Sequence, residues 1–582
     1  MSFPVRMLPL ILAATALSAC ASPSSPPEDD EASVYGAFLA ARYAGVNRDV
    51  ASAAENYARA LDQAPGDPTL ADRAFITALL AGDRQQSARL AQATVDVGDP
   101  SRLATLYLAA DKIARHDYDG AIASLEAAPD YGPFNTLMRD LLMQWAMMGD
   151  GQQLAAMDAA NSTAAPEFLS AHLWLHKAML ADIAGETEAA DGAYRTAAYS
   201  SVFPRLAAEM YGNFLERNGR SDEARALYQT NLDASPDEPF VLDALRRLDA
   251  GERPGRRLSV PEMASRSLFG PATELAAQAD MDLSVIYLRM VERLDPAYAP
   301  TRLSLAGTLE RISLPEAALT EYAAVAEGPF RFAADIDQIW LLGRLARTEE
   351  ATMLARRLVD ESGDIEARLL LADLLRVQGQ CPEAVTLYEQ VIADRDAAGQ
   401  AGDWRYHYYA GACHYDADNW PAAERHYEAA LQLAPRESRI LNDLGYFWID
   451  RGERVDEAFE MIMLAAELDP ENGNVIDSLG WAHYRLGQYE AAVLALERAA
   501  ELSPGNATAN YHLGDAYWQV GRYLEAGFQW RRAIDLDPRP EQRDGLEYRL
   551  AHGQPPAGQQ ERVVDVSESA HMPAPADGAG EP

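Results

Sequence analysis

The sequence predicts an all-α fold, a superhelical solenoid in which one antiparallel helix pair is copied along most of its 582 residues. Three observations predict it. Prolines recur at Pro435, Pro470, Pro504 and Pro538, with spacings of 35, 34 and 34. Each follows, by 24 or 25 residues, a glycine set in an apolar run: Gly411, Gly445, Gly480 and Gly514. Between them alanines hold fixed places, at Ala423, Ala458, Ala492 and Ala526 and again at Ala430, Ala465, Ala499 and Ala533. A period of this length marks a unit whose apolar face is covered only by the next copy.

The first element, residues 1–19, reads as a signal peptide. Arg6 supplies a positive n-region, and Met7 to Leu17 form an apolar run of eleven residues. A helix needs ~20 apolar residues to span a bilayer, so this run is a leader rather than an anchor. Leu17-Ser18-Ala19-Cys20 then resembles the lipobox of bacterial lipoproteins, in which the cysteine carries the lipid. The resemblance implies attachment through Cys20. Because Ala21 is not aspartate, it also implies the periplasmic face of the outer membrane. Residues 20–33, rich in Ser, Pro and acids, suit a flexible tether.

Residues 34–250 form an N-terminal block of weaker repeats. Ala41, Ala53, Tyr57, Ala60 and Pro65 open it, and Gly212, Ala224, Tyr228 and Pro236 reproduce the pattern fully. Residues 251–261 begin with Gly251-Glu252-Arg253-Pro254-Gly255, breaker signals that predict a division between two blocks. Residues 262–552 form the C-terminal block, and the Pro/Gly/Gln-rich residues 553–582 read as a disordered tail. About 13–14 units are expected in all, some degenerate.

Leu441 to Trp448 (LNDLGYFW), Ile476 to Tyr484 (IDSLGWAHY) and Tyr511 to Trp518 (YHLGDAYW) carry the pattern most clearly. They resemble the 34-residue tetratricopeptide repeat, W-x2-L-G-x2-Y…A-x3-F…P. Small residues at its eighth and twentieth positions let the two helices approach to ~8–10 Å between axes. Positions five, nine and twelve lie about 120° around the first (A) helix, on the face that lines the inner groove of such superhelices. In the last four repeats these positions include Tyr408, Tyr415, Asn442, Tyr446, Asp477, Trp481, Tyr484, Tyr511, Asp515 and Trp518. Seven of the twelve positions are aromatic, against 8% of the whole chain, so these residues are the expected partner-binding groove. The alternative is that the rings wedge between repeats. Some members of the class clamp a carboxylate with lysine; by that resemblance Arg405, Arg439 and Arg485 are the substitutes here.

Other chemistry is thin. Fifty basic against 89 acidic residues give a net charge of −39, which argues against a nucleic-acid partner. Lys112 and Lys177 are the only lysines, and neither sits in a phosphate-binding P-loop. His172 and His176 stand at the i, i+4 spacing of zinc ligands, but position 173 is leucine and the H-E-x-x-H motif fails. Cys413-His414 near Cys381 in the repeat register is a similarly weak constellation, and no cofactor or metal set is defined. Cys381 and Cys413 are a disulfide candidate in an oxidising compartment, the other reading being two small apolar residues. No catalytic residue emerges, so an enzyme is not expected.

The stretch from Tyr408 to Pro538 further resembles a family of proteobacterial outer-membrane tetratricopeptide lipoproteins. One branch serves as the adaptor of a periplasmic carboxyl-terminal-processing protease and helps deliver cell-wall hydrolases to it. The resemblance implies a lipid-anchored adaptor for protein or peptide partners. The alternative is a passive scaffold for an envelope machine such as a polysaccharide exporter or pilus.

Overall fold

The computed structural model describes residues 33–98, 102–127, 132–163, 167–199, 204–277, 281–400, 402–538 and 540–553. The expected signal peptide, Cys20, all of the tether but Ser33, and residues 554–582 lie outside the described residues. Within them lie thirty α-helices, one 3-10 turn at Glu167–Leu169 and no strand. No described helix is long and apolar enough to cross a membrane.

The helices pair as the repeat demands. A Cβ on Gly445 would stand 2.9 Å from Ile462 Cγ1 and 3.0 Å from the Ala458 carbonyl oxygen, and one on Gly480 only 2.5 Å from Leu496 Cγ. Glycine therefore sets the closeness of A and B helices. Ala423, Ala458, Ala492 and Ala526 on the B helices have no exposed surface, and the Ala423 carbonyl lies as close to Gly411 as the Ala458 carbonyl does to Gly445 within a few tenths of an ångström. Asn506 caps the helix Ala507–Gln519, its Oδ1 accepting from the Thr508 and Ala509 amides. That cap contributes about 1 kcal/mol.

The chain parts into two compact units, one ending at Arg331 and one beginning at Phe332. The division expected at 251–261 is therefore displaced. Residues 252–259 do run outside any helix, but the chain beyond them turns back into the first unit. There the pair Val260–Ala277 and Met281–Leu294 packs on the A helices Pro68–Ala81, Leu103–Ala114, Gly132–Gly149 and Ser170–Ala184.

Ion pairs between residues far apart in the chain hold this returning pair. Arg289 Nε donates to the Leu79 carbonyl at 2.9 Å, and its Nη1 meets Glu292 at 2.9 Å and Glu321 at 2.6 Å. Arg84 reaches Glu292 at 2.5 Å, and Arg293 reaches Asp111. Arg266 pairs with Asp295 at 2.7 Å and lies 3.4 Å above the ring of Tyr298. Burial works against the Arg289 charge, but Glu321 and Glu292 outweigh it and hold its pKa above the usual value. These four A helices of the first unit are thus covered by the chain's own helices.

His172 and His176 belong to this packing. His176 Nδ1 lies 2.6 Å from Ser267 Oγ on the returning helix, and Nε2 lies 2.6 Å from Gln144 Oε1. Both ring nitrogens are engaged, which leaves none for a metal. Burial pushes His176 down to about 3 and His172 to about 4.

Candidate functional site: the A-helix face of the C-terminal unit

The A helices of the last four full repeats are Trp404–Asp416, Ser438–Arg451, Gly473–Arg485 and Ala507–Gln519, and the helix Pro540–His552 follows them. The last three of these four pack side by side as well as against their own B helices. The positions expected to line an open groove fall on that seam or, for the first helix, against Asp443 and Phe447 of the second. Tyr408, Asn442, Tyr446, Asp477, Trp481, Tyr484, Tyr511 and Asp515 are consequently buried, and only Tyr415 and Trp518 keep part of their surface. This corrects the expectation of ten groove-lining side chains: most of the rings wedge between repeats.

The seam is a continuous ladder of rings and ion pairs. Trp481 stacks on Tyr484 with centroids 4.8 Å apart and on His512 of the next repeat at 4.2 Å. His512 Nδ1 lies 3.0 Å from Asp477. Tyr408 donates its hydroxyl to Asp443 at 2.5 Å, and Tyr415 stacks on Phe447 at 4.0 Å. At the end of the series Asp515 accepts from Trp530 Nε1 at 3.0 Å and from Arg549 Nε at 2.9 Å. Burial raises the Asp515 pKa, and the Arg549 guanidinium opposes it. Arg549 also lies 4.8 Å from the ring of Tyr511, so the final helix closes the ladder.

Two polar atoms on this seam, Asn442 Oδ1 and Trp481 Nε1, have no hydrogen-bond partner among the described residues. A buried group left so costs about 1–3 kcal/mol.

What solvent reaches on this face lies at the second and thirteenth positions of the A helices. Arg405, Arg439 and Asn474 are exposed at the former, and Asp416, Arg485 and Gln519 at the latter. One stripe of a helix joins these positions to five and nine, so they rim the buried ladder. Asn474, Asp416 and Gln519 were not singled out by aromatic enrichment; their signal is polarity at a fixed register. Arg405 is held by Asp403 at 2.6 Å and Arg485 by Asp450 at 2.7 Å. Arg439 makes no ion pair among the described residues and lies 5.8 Å from the Tyr408 ring. Among the described residues of the C-terminal unit, helices pack on near neighbours in the chain, and no helix pair returns over this face.

Below the rim, Cys381 and Cys413 join as a disulfide, with Cα atoms 4.9 Å apart. The bond ties the helix Cys381–Ala397 to the following A helix.

Family models described as tetratricopeptide repeat match residues 369–438, 414–472 and 507–540, and one described as TPR repeat matches 480–521. A TPR repeat-containing protein of Pseudomonas aeruginosa is 27% identical over 173 residues, 29% of this chain. The match spans only 28% of that protein's length. The human protein O-mannosyl-transferase TMTC1 is 25% identical over 139 residues, 23% of this chain and 15% of its own. Among solved structures, a tetratricopeptide repeat protein from Parabacteroides merdae covers 44% of this chain and 97% of its own at 14% identity, with a TM-score of 0.37. With repeats matched over residues 369–472 and 480–540 and helix pairs throughout the described residues, the fold is the all-α tetratricopeptide-repeat superhelix.

Proposed function

We propose that the protein is a lipid-anchored, non-catalytic adaptor of the periplasmic face of the outer membrane, which binds other proteins through its C-terminal A-helix face. Tetratricopeptide repeats are protein-binding modules, and that coarse role rests on the repeats themselves. One observation carries the assignment to the C-terminal unit. The first unit covers four of its A helices with Val260–Ala277 and Met281–Leu294, whereas among the described residues no helix pair of the second unit returns over its A-helix face. The lipobox-like Leu17 to Cys20 supports the anchor, and the resemblance of Tyr408 to Pro538 to protease adaptors supports a processing protease and wall hydrolases as partners.

Affinity capture from envelope extracts tests the reading. Wild type is expected to recover a protease or its substrates, and deletion is expected to raise the abundance of wall hydrolases. Arg439→Ala with Trp518→Ala is expected to weaken capture at least ~10-fold, the scale of a hot-spot pair. Recovery of outer-membrane channel components with unchanged proteolysis would favour the passive scaffold. Labelling of wild type, but not Cys20→Ser, by a fatty-acid precursor tests the anchor.

A further inference from the structure

The C-terminal unit gathers three histidines and a glutamate that the partner-binding face does not use. Glu389 comes from the helix Cys381–Ala397, His407 and His414 from Trp404–Asp416, and His426 from Trp420–Leu433. His414 Nε2 and His426 Nε2 stand 3.5 and 3.6 Å from the same oxygen, Glu389 Oε1. The three donor atoms lie within 4.8 Å of one another. Ligands held ~2.0–2.1 Å from a tetrahedral zinc ion are themselves about 3.4 Å apart, so an ion fits between these atoms with little movement.

Two further observations point to a ligand. His414 Nε2 is shielded from solvent and hydrogen-bonds to nothing among the described residues. His426 Nδ1 faces His407 Nδ1 at 3.3 Å, an outer-shell contact in which His426 as donor leaves its Nε2 lone pair to the ion. Two imidazoles and a carboxylate suit zinc rather than magnesium or calcium, which favour all-oxygen sets.

We infer that Glu389, His414 and His426 form a zinc site that staples two consecutive repeats, with the fourth position open to solvent. The sequence defined no metal set because these ligands are 12, 25 and 37 residues apart and converge only when helices stack. The imidazoles His407 and His414 occupy the fourth and eleventh repeat positions, where the following repeat places Leu441 and Trp448. The disulfide from Cys381 to Cys413 spans the same junction.

Calorimetric titration of the full-length protein with Zn²⁺ is the test. Wild type is expected to take up one equivalent saturably, with a higher melting temperature in Zn²⁺ than in chelator. His414→Ala, His426→Ala and Glu389→Gln are each expected to weaken binding at least tenfold, while His552→Gln, outside the cluster, binds as wild type does. Glu389 is exposed, so E389Q keeps the test decisive should a histidine variant misfold. No saturable uptake by wild type, or undiminished affinity in E389Q, would overturn the site.

Discussion

Arg289 shows what a single side chain does in this fold. It is almost wholly buried with Glu292 and Glu321, so its removal takes the most deeply buried cation from a cluster in which only Arg84 and Arg302 then face the two carboxylates. Arg289→Met is expected to cost about 3–5 kcal/mol, read as a lower denaturant midpoint for the N-terminal unit. Trp481 and Arg439 separate packing from binding at the same face. Trp481→Ala is expected to cost about 3–5 kcal/mol in stability, whereas Arg439→Ala leaves the melting temperature unchanged and weakens capture. The buried histidines give a pH dependence. With His172 at about 4 and His176 at about 3 in the fold, the unfolded chain, near 6.5, binds more protons below pH 6.5. Stability is therefore complete above that pH and drains as pH falls toward 4, by about 2 kcal/mol per histidine at pH 5. A thermal melt series from pH 7.5 to 5 checks this, and His176→Gln is expected to flatten it. Residue identity alone did not reveal that positions five and nine are seams. An aromatic at those places reads the same whether the next A helix or a partner covers it.

At the scale of helices, the sequence was most informative where chemistry is local. Gly445, Gly480 and the B-helix alanines announced the hairpins because close approach admits nothing larger. Asn506 announced a helix start because its side chain serves amides two and three residues on. The returning pair Val260–Ala277 and Met281–Leu294 was illegible. Its anchoring contacts, Arg84 to Glu292 and Arg289 to the Leu79 carbonyl, bridge 208 and 210 residues, and neither end carries a motif. The breakers at Gly251 to Gly255 were read as a division because periodicity shows where helices stop and not where the chain next packs. The Cys381–Cys413 bond is open to a direct check. Intact mass with and without reductant is expected to differ by two hydrogens, and Cys413→Ala is expected to lower stability by about 3–4 kcal/mol for a loop of this length.

Across the whole molecule, one repeat chemistry serves two ends. The N-terminal unit covers four of its A helices with its own returning helices, with buried ion pairs fixing the match. The C-terminal unit fills the seam between A helices with rings and leaves a polar rim at Arg439, Asn474 and Gln519. A photo-crosslinking residue placed at these positions in the living cell tests the proposed role most directly. The account expects protein adducts from positions 439 and 519, sharing the same partner, and far fewer from Gln432 on the exposed side of a B helix. Equal labelling from position 432, or none from 439 and 519 in a folded protein, would contradict it.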